Sequence, residues 1–199
     1  MNSFLIALLL LAQAPSAHKT CGVERWPIKT LADADATRIN PHVIDVTVEQ
    51  LRAETAPKDL KTTGNKRHNP VEFTHYWVHA LFLGYKHESD SDFHLVLASP
   101  VDKTKTIIAE IPAGACVPAK IKKQESDLQT WVVKRFGRPK QPGRMLRFAQ
   151  PRLVIVEGIG FFDFLHGQTG VAPNGIELHP VTSIVLDNAS LTPEGKLIQ

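Results

Sequence analysis

The segment of residues 74–86 reads THYWVHALFLGYK and is rich in the aromatic and β-branched residues that favour β-strands. Gly84 lies near its end, and a glycine inside a strand indicates a bulge or a sharp bend. A bend in a strand of this length lets one chain segment serve both sides of a sheet. The segment therefore predicts a long, bent first strand.

Four further strands are predicted after this segment, separated by polar turns or by loops rich in glycine and proline. They cover residues 93–98, 106–111, 153–162 and 176–186. A helix is expected before the fourth strand. Its signals are a capping box at Ser126 and Gln129 and an apolar stripe formed by Leu128, Trp131, Val132 and Phe136.

The predicted order of elements is β-β-β-α-β-β. This is the order found in the oligonucleotide/oligosaccharide-binding (OB) fold, a five-stranded Greek-key barrel. The sequence therefore predicts a mostly β protein with a five-stranded OB-like barrel. An open sheet with one packed helix is the competing interpretation.

The chain divides into four expected parts. Residues 1–17 are expected to be a signal peptide, 18–72 a loop-rich N-terminal extension, 73–187 the OB-like domain and 188–199 a polar tail. The extension contains four prolines and lacks sustained periodicity. One short helix is expected inside it, because Thr47 and Gln50 have the spacing of a capping box.

The N-terminal residues indicate export. Residues 4–11 read FLIALLLL, and Ala12 and Ala14 follow in the A-x-A pattern of a signal-peptide cleavage site. A membrane anchor is the alternative, but a helix needs about 20 apolar residues to span a bilayer. We therefore expect a secreted or periplasmic protein without a transmembrane segment after signal removal.

The chain has two cysteines, Cys21 and Cys116. A single pair in an exported protein predicts a disulfide, because oxidising compartments favour the bond. Two unpaired thiols are the alternative.

Charge is unevenly distributed along the chain. Residues 119–152 contain ten Lys or Arg and two acidic residues, a net charge of +8 on a chain whose total is +3. Such a segment can concentrate polyanions, and Lys134, Arg138 and Arg144 are its candidate binding residues. A solvated connector whose charges aid solubility is the competing interpretation.

The densest group of polar residues flanks the loop between the fourth and fifth strands. Asp163 and His166 follow the fourth strand, whereas Glu177 and His179 share one face of the fifth. Two carboxylates and two imidazoles can hold a divalent metal, whose bound water can act as a hydrolytic nucleophile. The alternative is that these side chains only hold the glycine-rich loop in place.

A second acidic group lies in the turn between the first and second strands. Asp90, Asp92 and His94 are its candidate binding residues. The alternating acids resemble the start of a calcium-binding loop but lack its glycine and its distal glutamate. A solvated hairpin turn is the alternative. In an OB-like barrel the two loops flank one binding face, so both groups are expected to border a common cleft.

Three segments of the chain are distinctive in sequence: KHESDSDFHLVL (86–97), AEIP (109–112) and GIGFFDFLHGQTGVAPNGIELHPV (158–181). With these segments the chain resembles a group of bacterial exported proteins of unknown activity that contain an OB-fold-like domain. The resemblance implies a bacterial secreted protein and supplies no catalytic residues.

No complete catalytic signature is present. The chain lacks a G-x-S-x-G elbow, an H-E-x-x-H helix, a C-x-x-C pair and a phosphate-binding loop. The absence of such a signature favours a binding module for nucleic acid or a glycan. The alternatives are a metal-dependent nuclease or phosphoesterase that uses the loop cluster and a structural domain without a ligand. A divalent metal is the candidate cofactor.

Overall fold

The computed structural model describes residues 21–187, 190–191 and 197–198. The expected signal peptide lies outside the described residues. The helices are α1 (Trp26–Lys29), α2 (Val48–Ala53) and α3 (Ala119–Phe136). The strands are β1 (Val43–Val46), β2 (His75–His87), β3 (Phe93–Ala98), β4 (Thr106–Ile111), β5 (Leu146–Phe162), β6 (Ile176–Leu186), β7 (Ser190–Leu191) and β8 (Leu197–Ile198).

Six strands form one mixed sheet, so the fold is mostly β, as predicted. The strand order is β1-β2-β3-β4-β6-β5, and β2 also pairs with β5. The pairs β1–β2 and β4–β6 are parallel, whereas the other pairs in this sheet are antiparallel. In the tail, β7 pairs with β8 in an antiparallel ladder.

Strand β2 is long and contains the bulge that Gly84 predicts. Its register with both β3 and β5 shifts between Phe82 and Gly84. Gly84 has a φ of +154°, and a Cβ at this position would lie 2.3 Å from the carbonyl oxygen of Leu146. The bulge therefore requires glycine both for its backbone conformation and for the close approach of β5.

The main apolar core lies against one face of the sheet. Alternate residues along the strands point to opposite faces, and those on the core face are fully buried, including Phe82, Leu95, Ala109, Val156 and Leu178. Helix α3 packs against this core through Val132, and its lysines face outwards, whereas Glu125 is buried. Consequently the residues between the core positions, such as His94 and Glu110, lie on the opposite face.

Three boundaries differ from the sequence prediction. Helix α3 begins at Ala119 rather than at Ser126, because Pro118 occupies the N-cap and the following Lys and Gln residues are good helix formers. The Ser126 hydroxyl donates to the Lys122 carbonyl inside the helix instead of capping it. Strand β5 begins at Leu146 rather than at residue 153, and β1 lies within the segment predicted to be loop-rich.

The other sequence signals correspond closely to the structure. The Thr47–Gln50 capping box is present, with Thr47 Oγ1 accepting the Gln50 N–H at 3.1 Å and Gln50 Oε1 accepting the Thr47 N–H at 2.8 Å. Cys21 and Cys116 form a disulfide pair with their Cα atoms 5.6 Å apart. In the described part of the chain, every helix is too short or too polar to cross a bilayer.

Candidate metal centre

The outer face of the sheet carries a group of ionisable side chains on three adjacent strands. On β3 and β4, His94 lies directly opposite Glu110 in the antiparallel register. On β6, Glu177 pairs with Ile108 of the parallel neighbour β4, and His179 follows on the same face. The four side chains therefore converge because of strand register, although they are distant in sequence.

An N-terminal segment, residues 21–33, lies over part of this face. The segment is held by Arg25, which is 4% exposed and hydrogen-bonds to both oxygens of Glu72 at 2.7 and 2.8 Å. Arg25 also donates to the carbonyl of Phe162 at 2.8 Å, at the end of β5. The disulfide between Cys21 and Cys116 ties the start of the segment to the loop after β4.

A cleft of about 480 Å³ opens between this segment and the sheet. One wall comes from the β2–β3 loop with Asp90 and Asp92, and another from the β5–β6 loop with Asp163 and His166. Both loops therefore border one cleft, although Glu177 and His179 are not among its lining residues. The acidic residues that line it are Glu24, Glu88, Asp90, Asp92, Glu110 and Asp163.

Three side chains have the arrangement of metal ligands: Asp92 and Glu110, which line the cleft, and His179, which is buried beside them. One ligand atom from each of Asp92, Glu110 and His179 lies within 4.8 Å of the other two. His179 Nδ1 is 3.4 Å from Glu110 Oε2. Two ligands bound tetrahedrally at about 2.0–2.1 Å are themselves separated by about 3.3 Å, so this pair needs almost no movement to bind one ion.

Asp92 is fixed in place by the backbone. Its Oδ1 accepts the Ala113 N–H at 2.8 Å, and its side chain is buried. Because the hydrogen bond uses only one carboxylate oxygen, the other oxygen can bind an ion. Burial, followed by the charge of Asp90, raises the pKa of Asp92 to about 8.

Two buried side chains at this site lack hydrogen bonds within the described part of the chain. These are His179, at both ring nitrogens, and Glu177, at both carboxylate oxygens. His179 is 0% exposed and Glu177 is 1% exposed. Buried polar groups nearly always have a partner, because burying one without a partner costs about 1–3 kcal/mol. The site therefore has the free coordinating atoms that a cation would use.

His94 supports Glu110 from the neighbouring strand. Its Nε2 lies 2.8 Å from the Thr169 carbonyl oxygen, which can only accept, so Nε2 carries a hydrogen. Its Nδ1 lies 3.0 Å from Glu110 Oε1. His94 therefore links Glu110 to the Thr169 carbonyl of the β5–β6 loop. Such support of a ligand by a second residue is common at metal sites.

Burial and neighbouring charges also shift the pKa values of His179, Glu110 and Glu177. Burial lowers the pKa of His179 to about 3, so the imidazole is neutral at pH 7, the form that binds metals. Burial opposes the charge of Glu110, but the hydrogen bond from His94 and the neighbouring positive charges, including Lys29, together outweigh burial and lower the pKa to about 2. Burial raises the pKa of Glu177 well above its ordinary value, and the charges of Glu110 and Asp163 add to the effect.

The four residues predicted to form one cluster take different positions. Glu177 and His179 lie with Glu110 on the sheet, whereas Asp163 Oδ2 pairs with Lys29 Nζ at 3.1 Å. Burial opposes the charge of Lys29, but Asp163, Glu110 and Glu177 together raise its pKa above the ordinary value. His166 is exposed at the rim of the cleft, with its Nδ1 2.9 Å from the Phe164 carbonyl oxygen.

The other candidate binding residues lie at three separate places. Asp90, Asp92 and His94 line the acidic cleft. Lys134 and Arg138 line a second groove beside α3, and Arg144 is exposed in the connector before β5, outside both linings. The sequence prediction missed Glu110 and Lys29. Glu110 had one usable signal, since an acid among the apolar residues of the TIIAEI strand is a buried charge that needs a partner.

Comparisons with protein-family models, with curated proteins and with solved structures find no match to this chain. The function is therefore argued from the geometry of the site and from its charges.

Proposed function

We propose that this chain is an exported, metal-dependent hydrolase built on an OB-like barrel, with one divalent ion bound by Asp92, Glu110 and His179. The barrel is supported by the series of pairings β2-β3-β4-β6-β5, which returns to its start because β5 also pairs with β2. In chain order, helix α3 lies between the third and fourth of these five strands, β4 and β5, as in OB folds. The cleft lies over the face that the two barrel loops border.

The observation that carries the metal is the state of His179. This imidazole is fully buried, neither ring nitrogen has a hydrogen bond within the described part of the chain, and Nδ1 lies beside Glu110. A histidine that serves only the core would donate to a carbonyl or a hydroxyl. The mixed nitrogen and oxygen ligands favour Zn²⁺ or a similar transition metal over Ca²⁺, which takes six or more oxygens.

The number of ligands supports hydrolysis. Three protein groups bind the ion, and a four-coordinate ion then keeps one position for water, as in catalytic zinc sites. Asp92 and Glu110 line the cleft, so this position is accessible from solvent. The ion would activate the water to attack an electrophilic carbon or phosphorus. Glu177, whose carboxyl has no hydrogen bond in the described part of the chain, is the candidate acceptor of the water's proton in its ionised form.

The lining of the cleft restricts the substrate. Six acidic residues and one lysine, Lys29, line it. A polyanion would be repelled here even after a divalent ion had bound, because the acids still exceed the positive charges. A neutral substrate rich in hydroxyl or amide groups, such as a glycan or a peptide, fits the cleft better than nucleic acid does.

Metal titration tests the proposal. Protein freed of metal with a chelator is titrated with Zn²⁺, Mn²⁺ and Ca²⁺ in a calorimeter, and we expect one equivalent of Zn²⁺ to bind tightest. His179→Ala should abolish this binding, whereas His166→Ala, a matched change at the rim of the cleft, should retain it. Equal binding by the His179 variant and the unmodified protein would overturn the assignment. Zn²⁺-dependent cleavage of chromogenic glycosides or peptides then tests the hydrolase.

A further inference from the structure

A second groove of about 580 Å³ lies beside helix α3, on the other side of the β2–β3 loop from the acidic cleft. Its basic residues are Lys122, Lys134 and Arg138, and its hydroxyl groups come from Ser91, Ser126 and Thr130. No carboxylate lines it. The two depressions therefore have opposite charge, although the same loop borders both.

The polar residues of the groove form one row along the helix. Lys122, Ser126, Thr130 and Lys134 follow one another at intervals of four residues, so they lie on the same face of α3. At 1.5 Å per residue the row is about 18 Å long. Arg138 follows just after the helix ends at Phe136 and extends the row. The row therefore has positive charges towards both ends and hydroxyl groups between them.

The three cations are available to a ligand. No carboxylate lies within ion-pair distance of Lys122, Lys134 or Arg138 in the described part of the chain, and all three side chains are exposed. Lys123, on a neighbouring face of α3, shows the contrast, since it pairs with Asp127. Unpaired cations in a depression without acids attract anions, because no internal charge competes with the ligand.

We propose that this groove binds a linear acidic glycan, whose sulfate or carboxylate groups pair with Lys122, Lys134 and Arg138. The hydroxyl groups between these cations suit the hydroxyls of a sugar chain. Single-stranded nucleic acid is disfavoured, because proteins that bind it stack bases on exposed aromatic rings. The groove offers no such ring: Phe93 is 3% exposed, and His87 stands edge-on against it. This site is separate from the metal centre and does not depend on it.

The test compares two triple variants that remove the same charge. Lys122→Ala, Lys134→Ala and Arg138→Ala together alter the groove, and Lys58→Ala, Lys61→Ala and Lys103→Ala together serve as the control, because these lysines are exposed and lie outside the groove lining. Affinity for a heparin-derived oligosaccharide is measured over a range of salt concentrations. A single-stranded DNA of equal charge and a neutral dextran are the comparison ligands.

We expect the groove variant to lose about tenfold or more in affinity at low salt and to lower the salt slope by about one for each lost contact. The control variant should retain the unmodified affinity, and dextran should not bind. Equal losses in the two variants, or no binding of the oligosaccharide at low salt, would overturn the proposal. Tighter binding of the DNA through the same three residues would overturn the assignment to a glycan.

Discussion

Asp92→Asn separates the cost of a buried carboxylate from its use as a ligand. The substitution keeps the side-chain oxygen that accepts the Ala113 N–H and removes only the ionisable group. We expect this variant to be more stable than the unmodified protein at high pH when metal is absent, and to lose the stabilisation that Zn²⁺ gives. If Asp92 served only the fold, the variant would be less stable than the unmodified protein at high pH without metal, and Zn²⁺ would stabilise both proteins equally.

The size of the effect follows from the raised pKa of Asp92, about 8 in the folded protein. In the unfolded chain this carboxyl has a pKa of about 4. Between these values the folded state binds more protons than the unfolded state, so stability falls as the pH rises and levels off above the folded pKa. From about pH 5 to about pH 9 the loss from this one group is about 4 kcal/mol at most.

The assay is urea unfolding at several pH values, with a chelator and then with Zn²⁺. Burial and the charge of Asp92 raise the pKa of Glu125 to about 8, so Glu125 titrates in the same window. Because the two carboxyls interact, the difference between the two proteins contains the loss of the Asp92 titration and the accompanying change in the Glu125 titration. Asp127→Asn, a change at an exposed helix position, is the control and should change stability little. A variant that is less stable than the unmodified protein at high pH without metal would refute the reasoning.

Two further predictions concern the segment that covers the site. Arg25→Met should destabilise the protein by about 3–5 kcal/mol, because it leaves the fully buried Glu72 without its cation. Denaturant unfolding measures this loss, with Arg38→Met, at the exposed pair with Asp35, as the control. A loss of stability in Arg25→Met as small as that in Arg38→Met would contradict the prediction. Replacing both Cys21 and Cys116 with Ser should lower stability by about 4–5 kcal/mol on the chain-entropy model, because the bond closes a loop with a sequence separation of 95 residues. Thiol counting under denaturing, non-reducing conditions should find no free thiol in the unmodified protein, and two free thiols would contradict the bond.

The strands were predictable because their signals are local. The apolar alternation of Phe93, Leu95 and Leu97 defined β3 at the bounds the structure has, and Gly84 marked the bulge in β2. Helix α3 was placed too late, because Ser126 and Gln129 imitate a capping box within a helix that Pro118 begins. Strand β1 was missed because its residues are mostly exposed and it is held by pairing with β2 rather than by an apolar pattern.

The candidate site was predictable only in part, because strand register builds it. Glu177 and His179 were identified from their two-residue spacing on one strand. Glu110 reaches His179 through the parallel pairing of β4 with β6, a long-range contact that spacing along the chain does not reveal. Lys29 reaches the site because the disulfide and Arg25 hold the N-terminal segment over the sheet.

The central claim is that His179, Asp92 and Glu110 bind one ion, and a crystal structure of the Zn²⁺-loaded protein, with anomalous data at the zinc edge, tests it most directly. The account predicts one strong anomalous peak at the floor of the cleft, about 2.0–2.2 Å from a nitrogen of His179 and from oxygens of Asp92 and Glu110. The same data should show no comparable peak in crystals of His179→Ala. A peak only at exposed histidines such as His166, or a fully loaded crystal without a peak beside His179, would contradict it.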